Sequence, residues 1–320
     1  MLHVYIVILN YKKWQDTREC LESLLHSSYK NFSVIVIDND SQNDSLQHLI
    51  NELSKTGSFN PDTVLSLSKY WYFFLKSEEI NNSINPVLLP RFTFIQNNRN
   101  AGFAGGINPV LQLLQHENAF VWLLNPDIVV ENDALTNLIR FASTQPLESI
   151  IGTEMRAYKG NHELLFYGGG MINFNSGTIR LCKKSSAIPR LDFISGGSLF
   201  THASNFKKLG LLPEKYFLYW EDTDWSYIAK QKGYELKVCT HAVCYDKISS
   251  VIGKSFLGDY YYARNGLLFV RKYRQKNTLL ALFFMFFRFL KRIITGRWKR
   301  AGGIWKGTMD YFKLKHNESK

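Results

Sequence analysis

Residues 120–127 read Phe-Val-Trp-Leu-Leu-Asn-Pro-Asp, an unbroken apolar run that stops on a carboxylate. Such a run suits a strand buried on both faces, the kind found in the parallel sheet of an α/β protein. Proline ends the strand pairing, so Asp127 falls just past the carboxyl end of the strand. Open α/β sheets bind ligands at that edge. A hard oxygen ligand there can hold Mg²⁺ or Mn²⁺ against a diphosphate. The plain alternative is a turn aspartate that caps a helix starting near Glu131, and the motif alone leaves both readings open.

The rest of the first 150 residues repeats the pattern. Val4–Leu9 reads as a strand and Asp16–His26 as a helix with Leu21, Leu24 and Leu25 on one face. Ser33–Asp38 is a second strand that ends on a carboxylate, followed by a helix to about Leu53. Arg91–Gln96, Ala104–Gln115, Phe120–Leu124 and Asn132–Phe141 continue the strand and helix alternation. Repeated βα units imply a mostly parallel, Rossmann-like central sheet. Residues 54–90 interrupt it with Tyr70-Trp71-Tyr72-Phe73-Phe74 and the polar loop Asn81–Asn85, and read as a helical or mobile insertion.

After residue 150 the texture turns antiparallel. Gly168-Gly169-Gly170 and Asn175-Ser176-Gly177 punctuate short strands. Phe193–Phe200 is a strand broken at Gly196-Gly197, where a ligand or another backbone can approach closely. Ala203–Leu209 and Thr223–Lys232 read as helices and Leu236–Tyr245 as a strand. Cys20, Cys182, Cys239 and Cys244 show neither a CxxC pair nor a zinc spacing, and read as buried thiols of a reducing compartment. The start lacks a basic n-region and reads as a core strand, not a signal peptide.

Three further constellations bear on chemistry. Asp38, in Val36-Ile37-Asp38-Asn39-Asp40-Ser41, stands where nucleotide-binding folds contact a ribose or base edge, or else it caps the next helix. The turn after the first strand is Asn10-Tyr11-Lys12-Lys13-Trp14, without the glycines of a dinucleotide-binding dehydrogenase. Asn98–Asn108 is rich in glycine and asparagine and opens a helix, which suits phosphate as well as tight packing. Trp220-Glu221-Asp222-Thr223-Asp224-Trp225 crowds three carboxylates between tryptophans. One of them can serve as a general base raised by crowding, or the group is an acidic first helical turn.

Together these segments resemble the family 2 glycosyltransferases, over roughly residues 3 to 275. Ile6–Tyr11 is similar to that family's opening strand and Val36–Ser41 to its uridine or thymidine contact. Asn100–Asn108 and Leu124-Asn125-Pro126-Asp127 resemble the rhamnosyltransferase-like branch. The resemblance implies a GT-A fold with a nucleotide-binding half, residues 1–150, and an antiparallel acceptor half, residues 151–255. It implies an inverting transfer from a dTDP- or UDP-sugar, L-rhamnose among the candidates, to a polyprenyl-diphosphate-linked saccharide in bacterial surface glycan synthesis. Asp222 then matches the catalytic base. Asn10, Tyr11, Asp38, Asn100, Gly102, Asn108, Asn125 and Arg264 fall on the donor side, Arg264 within Tyr262-Ala263-Arg264-Asn265. Gly196, Gly197, Trp220, Glu221 and Asp224 fall on the acceptor side. Asp127 would bind the metal. Ala242–Lys247 resembles the last core strand, with Asp246 where the family usually has a metal-binding histidine. Aspartate is itself a competent Mg²⁺ or Mn²⁺ ligand. A glycoside hydrolase using the same carboxylates and a non-catalytic nucleotide- or nucleic-acid-binding protein are the rivals.

All of the chain's excess charge lies in residues 256–320, which hold 15 Lys and Arg against 3 Asp and Glu. Leu279–Phe287 is uniformly apolar, but at ~1.5 Å per residue it spans only about 14 Å, too short for a ~30 Å hydrocarbon core. Arg288, Lys291 and Arg292 share one helical arc, opposite Phe289, Leu290, Ile293 and Ile294. Arg297, Lys299, Arg300 and Lys306 follow, interleaved with Trp298 and Trp305. The reading is an amphipathic helical tail lying peripherally on an anionic membrane, the cytoplasmic face of a bacterial inner membrane, and not a nucleic-acid site. The alternative is a core-packing helix with a basic edge.

Overall fold

A computed structural model of the chain describes residues 2–55, 72–76, 86, 89, 91–248 and 255–317. Its first half runs β1 (Val4–Asn10), α1 (Trp14–Leu25), β2 (Phe32–Asp38), α2 (Ser45–Lys55), β3 (Tyr72–Lys76), β4 (Phe92–Gln96), α3 (Gly102–Leu114), β5 (Phe120–Leu124), β6 (Ile128–Val130) and α4 (Ala134–Ala142). β1, β2 and β5 are buried at every position. Alternation along β1 explains how one strand serves two cores. Val4, Ile6 and Ile8 join Leu21 and Leu24 of α1 and Leu135 and Leu138 of α4 on one face. Tyr5, Val7 and Leu9 meet Ile107 and Leu111 of α3 on the other, with Phe206 and Trp225 beyond.

The second half supplies β7 (Ser149–Ala157), β8 (Leu164–Tyr167), β9 (Gly169–Asn173), β10 (Thr178–Leu181), β11 (Phe193–Ile194), β12 (Ser198–His202), α5 (Ser204–Leu209), α6 (Glu221–Gln231) and β13 (Glu235–Asp246). The main sheet has the order β3-β4-β2-β1-β5-β12-β7-β13-β6, with β8 on β7. Its β3-to-β5 portion is parallel, and β12 runs antiparallel between β5 and β7. A small antiparallel sheet, β10-β9-β11, stands apart. This is the mixed α/β architecture expected, a mostly parallel sheet with an antiparallel subregion.

Register gathers the site. Asn10 pairs with Asp38 and Ile8 with Leu124, so all three strands present their carboxyl ends at one edge. Ser198 opposes Leu124, which sets the Gly196-Gly197 break beside Asn125. Asp246 opposes Ile128, the neighbour of Asp127.

Two details differ from the sequence reading. Asp127 is followed by strand β6, not by a helix it could cap, because Ile128 and Val130 are needed in the core beneath α1. Within the expected insertion, Tyr72–Lys76 is neither helix nor loop but an edge strand parallel to β4. Its β-prone aromatic run takes the open edge of the sheet. Tyr70, Trp71 and Asn81–Asn85 lie outside the described residues.

Helices α7 (Phe256–Tyr273), α8 (Thr278–Ile294) and α9 (Trp298–Asn317) complete the described chain. Ala263, Leu267 and Val270 of α7 pack with Ala281 and Met285 of α8 and Ile304 and Tyr311 of α9. Phe269 of α7 enters a second cluster with Tyr216, Trp220 and Tyr227. α7 therefore joins the helical layer to the antiparallel half. No described helix is long and apolar enough to cross a membrane.

Candidate active site

At the carboxyl edge of the sheet lies a cleft of about 270 Å³, lined among others by Tyr11, Asn125, Asp127, Gly196, Gly197, Glu221 and Asp222. Asn125 N donates to the Gly197 carbonyl (2.9 Å), which ties the Asn-Pro-Asp turn to the double-glycine break. The Gly196 N–H donates 2.7 Å to Asp222 Oδ2, and the Thr223 N–H and hydroxyl donate to Asp222 Oδ1 at 2.6 and 3.1 Å. A Cβ on Gly196 would stand 3.1 Å from the Asp222 Cβ, so glycine lets the two chains meet.

Of the cleft carboxylates, Glu221 is buried and Asp222, Asp127 and Asp246 are partly buried, with little compensating charge. Burial raises Asp222 above the usual carboxylate range, opposed by its bonds from Gly196 and Thr223. Glu221 is pushed well up by burial and then by the charge of Asp222, and its Oε2 is buried without a hydrogen-bond partner among the described residues. Burial, then the charge of Asp246, lifts Asp127 to about 6. Asp246 is itself raised by burial. Lys247, whose N–H donates 3.1 Å to the Asp127 carbonyl, spends its ammonium on Asp16 (3.1 Å) and Glu19 (2.7 Å).

The Asp127–Asp246 pair fits a divalent cation by its chemistry: two hard oxygen donors that repel one another until a cation joins them. Among the described residues no group of three His, Cys, Asp or Glu forms a ready metal cage. Mg²⁺ is commonly bound by one or two carboxylates together with substrate phosphates.

The other expected site residues are used inside the protein. Asp38 accepts from Asn10 Nδ2 (2.6 Å), from the Ser41 N–H (2.8 Å) and hydroxyl (2.5 Å), and from Gln96 (3.1 Å). Asn10 also accepts from Thr17 (2.7 Å). Asp38 and Asn10 thus form a buried network under the rim next to Tyr11. Asn100 Oδ1 accepts from Asn39 (2.9 Å) and from the Gly102 N–H (3.0 Å). Gly102 has φ of +76°, and a Cβ there would sit 2.2 Å from the Phe217 carbonyl oxygen. Asn108 clamps Leu212 and Glu214, donating 2.9 Å to the Leu212 carbonyl and 2.8 Å to Glu214. The glycine-rich segment is thereby occupied in holding the 212–217 loop.

Trp220 and Asp224, expected on the acceptor side, do not line the cleft. The Trp220 ring packs on Phe269 and Tyr262, with centroids 5.0 and 5.9 Å away. Asp224 is fully buried and takes Lys272 (2.9 Å) and the hydroxyls of Tyr216 and Tyr273. Helical geometry decides this, since residues two apart point to different sides of α6. Arg264, expected near the donor diphosphate, donates to the carbonyls of Lys215 (3.2 Å) and Tyr216 (2.9 Å) and lines a different cavity.

Sequence reasoning missed Asn265 and the loop it holds. Phe217, Tyr219 and Trp220 all have positive φ (62°, 63° and 79°), a costly backbone for aromatic residues. Asn265 Nδ2 reaches the carbonyls of Tyr216 (2.8 Å), Leu218 (2.8 Å) and Tyr219 (3.0 Å). Leu218 and Tyr219 in turn line the cleft. The only sequence signal was the position of Asn265 next to Arg264.

The mixed sheet, mostly parallel with an antiparallel subregion, is that of a GT-A fold. Solved structures share it: the mannosyltransferase PcManGT from Pyrobaculum calidifontis in complex with GDP-Man and Mn²⁺ (10% identity, TM-score 0.56, 97% of this chain and 87% of that one). GalNAc-T7 with UDP, GalNAc and Mn²⁺ gives 14% identity and a TM-score of 0.58 over 87% of this chain and 54% of that one. S. aureus TarS 1-349 with UDP-GlcNAc gives 15% and 0.50 over 89% and 72%. The chain spans 39% of the length of the longer S. aureus TarS chain. Comparison with curated protein sequences finds no match. Residues 5–67, which include most of β1 and all of α1, β2 and α2, match the model of Glycosyl transferase family 2.

Proposed function

We propose that the protein is an inverting glycosyltransferase that moves a sugar from a nucleotide-diphosphate donor to an acceptor hydroxyl in the cleft. One observation carries the reading: Asp222 stands in the cleft with a carboxylate raised by burial and aimed by the Gly196 N–H (2.7 Å). A raised carboxylate is a stronger base, suited to accept the acceptor's proton. As the new C–O bond forms at the anomeric carbon, the bond to the nucleoside diphosphate breaks on the opposite face. The reacting sugar passes through an oxocarbenium-like state, as in other glycosyl chemistry. Asp127 and Asp246 would hold a divalent cation, which supplies neutralisation of the leaving diphosphate. Tyr11, Asn125, Glu221, Gly196 and Gly197 line the cleft; we assign the first two to the donor end and the other three to the acceptor end. The Mn²⁺-bearing neighbours support the metal, and the UDP and GDP-Man complexes support a nucleotide-sugar donor. Within that class we propose a dTDP- or UDP-sugar, L-rhamnose included.

For the acceptor we propose a polyprenyl-diphosphate-linked saccharide presented at a membrane. α8 supports this: Leu279, Phe283, Phe286 and Phe287 are about half-exposed or more, and only Ala281 and Met285 of the helix are buried. The exposed apolar face lies in the Leu279–Phe287 run, with Ile294 exposed beyond it, while Phe289, Leu290 and Ile293 are partly covered. Arg288, Arg292 and Arg300 turn inward onto Asp259 at 3.8, 3.4 and 2.5 Å, because a carboxylate that is 5% exposed requires countercharge. Lys291, Arg297 and Lys299 remain exposed beside it. Such an aromatic and basic surface suits the interface of an anionic bilayer, the cytoplasmic face of a bacterial inner membrane.

The deciding experiment screens dTDP- and UDP-sugars for slow donor hydrolysis, then measures nucleotide release on adding acceptor. Release that needs donor, acceptor and Asp222 supports transfer. Hydrolysis of a glycoside without nucleotide indicates the hydrolase alternative, and binding without turnover a non-catalytic one.

A further inference from the structure

Between the small β10-β9-β11 sheet and the start of α8 lies a groove of about 600 Å³, lined among others by Asn173, Asn175, Arg180, Arg274, Lys276 and Asn277. Alternation along β10 explains why Arg180 faces outward. Its neighbour Ile179 packs against the cluster of Tyr216, Trp220 and Phe269, which sends Arg180 to the other side of the strand. The side-chain acceptors of the groove are already engaged. Asn173 Oδ1 accepts from the N–H groups of Asn175 (3.0 Å) and Ser176 (3.2 Å), and Asn175 Oδ1 accepts from Asn277 Nδ2 (2.6 Å). The donors are not. Among the described residues, the amide NH₂ groups of Asn173 and Asn175, the Arg180 guanidinium and the Lys276 ammonium have no hydrogen-bond or ion-pair partner, and no carboxylate lines the groove. Arg274 completes the set: Nη1 donates to the Tyr273 carbonyl (3.2 Å), and the guanidinium stands 5.4 Å from the centre of the Phe174 ring. A concave surface of cations and free amide donors, with neither an acid nor a spare side-chain carbonyl of Asn173 or Asn175 turned to it, attracts an anion that accepts several hydrogen bonds.

We infer that this groove receives the phosphate headgroup of an anionic glycerophospholipid and thereby sets how the protein lies on a bilayer. The inference rests on the membrane reading proposed above and adds a defined site to it. Its place in the chain points to a lipid. Asn277 lines the groove and directly precedes α8, whose Leu279 and Leu280 are 80% and 41% exposed. A phosphate with an apolar tail finds both of its parts matched there, whereas a free phosphate or a nucleic acid makes no use of the leucines. The charges of the tail fit the same picture. Arg288 and Arg292, beyond the apolar run, are turned onto Asp259, and Lys291 between them stays exposed. The Leu279–Phe287 run is therefore bracketed by free cations, those of the groove before it and Lys291 after it, as suits a helix lying at the level of anionic headgroups.

The test follows capture of the full chain by phosphatidylcholine vesicles with and without phosphatidylglycerol. Capture should need phosphatidylglycerol, and Arg180→Gln/Lys276→Gln should weaken it about tenfold or more. Lys159→Gln/Lys232→Gln removes the same charge from exposed lysines outside the groove and should leave capture unchanged. Arg180→Lys/Lys276→Arg, with charge retained, should be captured like the wild type. Equal capture of the wild type and Arg180→Gln/Lys276→Gln, or an equal loss in the Lys159→Gln/Lys232→Gln control, overturns the headgroup site and leaves the membrane reading standing. A second arm titrates dihexanoyl-phosphatidylglycerol, below its micellar concentration, into the same proteins by calorimetry. It should bind the wild type and lose affinity in Arg180→Gln/Lys276→Gln, and dihexanoyl-phosphatidylcholine should not bind. That result without vesicle capture would keep the headgroup site and remove the membrane reading. Preference of the wild type for a single-stranded oligonucleotide over phosphatidylglycerol vesicles overturns the inference.

Discussion

Two sets of buried carboxylates divide the molecule. In the helical layer, Asp224 and Asp259 are at most 5% exposed, and each is met by cations: Lys272 and Lys215 on the first, Arg300, Arg292 and Arg288 on the second. At the sheet edge, Glu221 is equally enclosed and Asp222, Asp127 and Asp246 are partly buried, yet backbone N–H groups and neighbouring carboxylates surround them. Burial is common to both sets; countercharge is not. A buried ion pair is a structural device whose removal destabilises. A buried carboxylate left short of positive charge shifts upward and is ready to take a proton or a metal. Asp222 and Asp224 make the point at a separation of two residues on one helix.

The largest effect should come from the paired set. Asp224→Asn removes the charge that Lys272 and two tyrosine hydroxyls surround, and breaking a buried pair costs about 3–5 kcal/mol. Lys272 keeps some access to water, so about 3 kcal/mol is expected in chemical denaturation, with kcat per folded molecule nearly unchanged. A large fall in kcat without a fall in stability would erase the distinction between the two sets.

Next comes Asp222→Asn, expected to cut turnover by about 10²-fold, some 2.7 kcal/mol at the barrier, with donor affinity kept. Its pH dependence follows from the sign of the shift. The carboxyl is raised by burial, so the base is lost as pH falls, and at a higher pH than for an exposed aspartate. The acid limb of kcat in the wild type should show this. If Glu221→Gln abolished transfer while Asp222→Asn did not, the base would have to be reassigned to Glu221.

How much of this was legible in the chain depends on the range of the interactions concerned. β1, β2 and β5 announce themselves, because a strand buried on both faces must be apolar throughout. The gathering of Asp127, Asp222 and Gly196-Gly197 was legible only through motif resemblance, since residues 127 and 222 come together by way of β12 and the start of α6. What could not be read was the direction of side chains. Trp220, Asp224, Arg264 and Asn108 sit in suggestive segments, yet the fold uses them internally. The inward turn of Arg288 and Arg292 depends on Asp259, some thirty residues earlier and on another helix. Asn265 was equally silent, because its role depends on carbonyls of a loop whose positive φ values no local preference foretells.

A smaller effect should appear at Asp127. If Asp127 and Asp246 hold the cation, Mn²⁺ should tighten binding of UDP or dTDP to the wild type about tenfold, or 1.4 kcal/mol. Asp127→Ala should then bind as weakly with Mn²⁺ as with EDTA. Burial and Asp246 place the Asp127 carboxyl at about 6, so the metal effect should fade as pH drops below that value. Equal affinity with Mn²⁺ and EDTA in the wild type would leave the cleft pair as mere neighbours and weaken its contrast with Asp259.

The smallest effect tests the comparison within α8 itself, where like charges have unlike uses. Lys291 is exposed, whereas Arg292 faces Asp259 at 3.4 Å. A cation at an anionic bilayer surface contributes about 1 kcal/mol, so Lys291→Gln should weaken co-sedimentation with anionic vesicles roughly fivefold and leave the melting temperature alone. Arg292→Gln should do the reverse, lowering stability by withdrawing countercharge from Asp259 while vesicle binding of the folded protein persists. Salt should weaken the attachment of both variants, and the exposed Phe283, Phe286 and Phe287 should preserve part of it, since apolar insertion is not screened. Equal losses of vesicle binding in the two variants, with stability unchanged, would show that the Asp259 cluster opens at the membrane and that its arginines belong with the exposed charges.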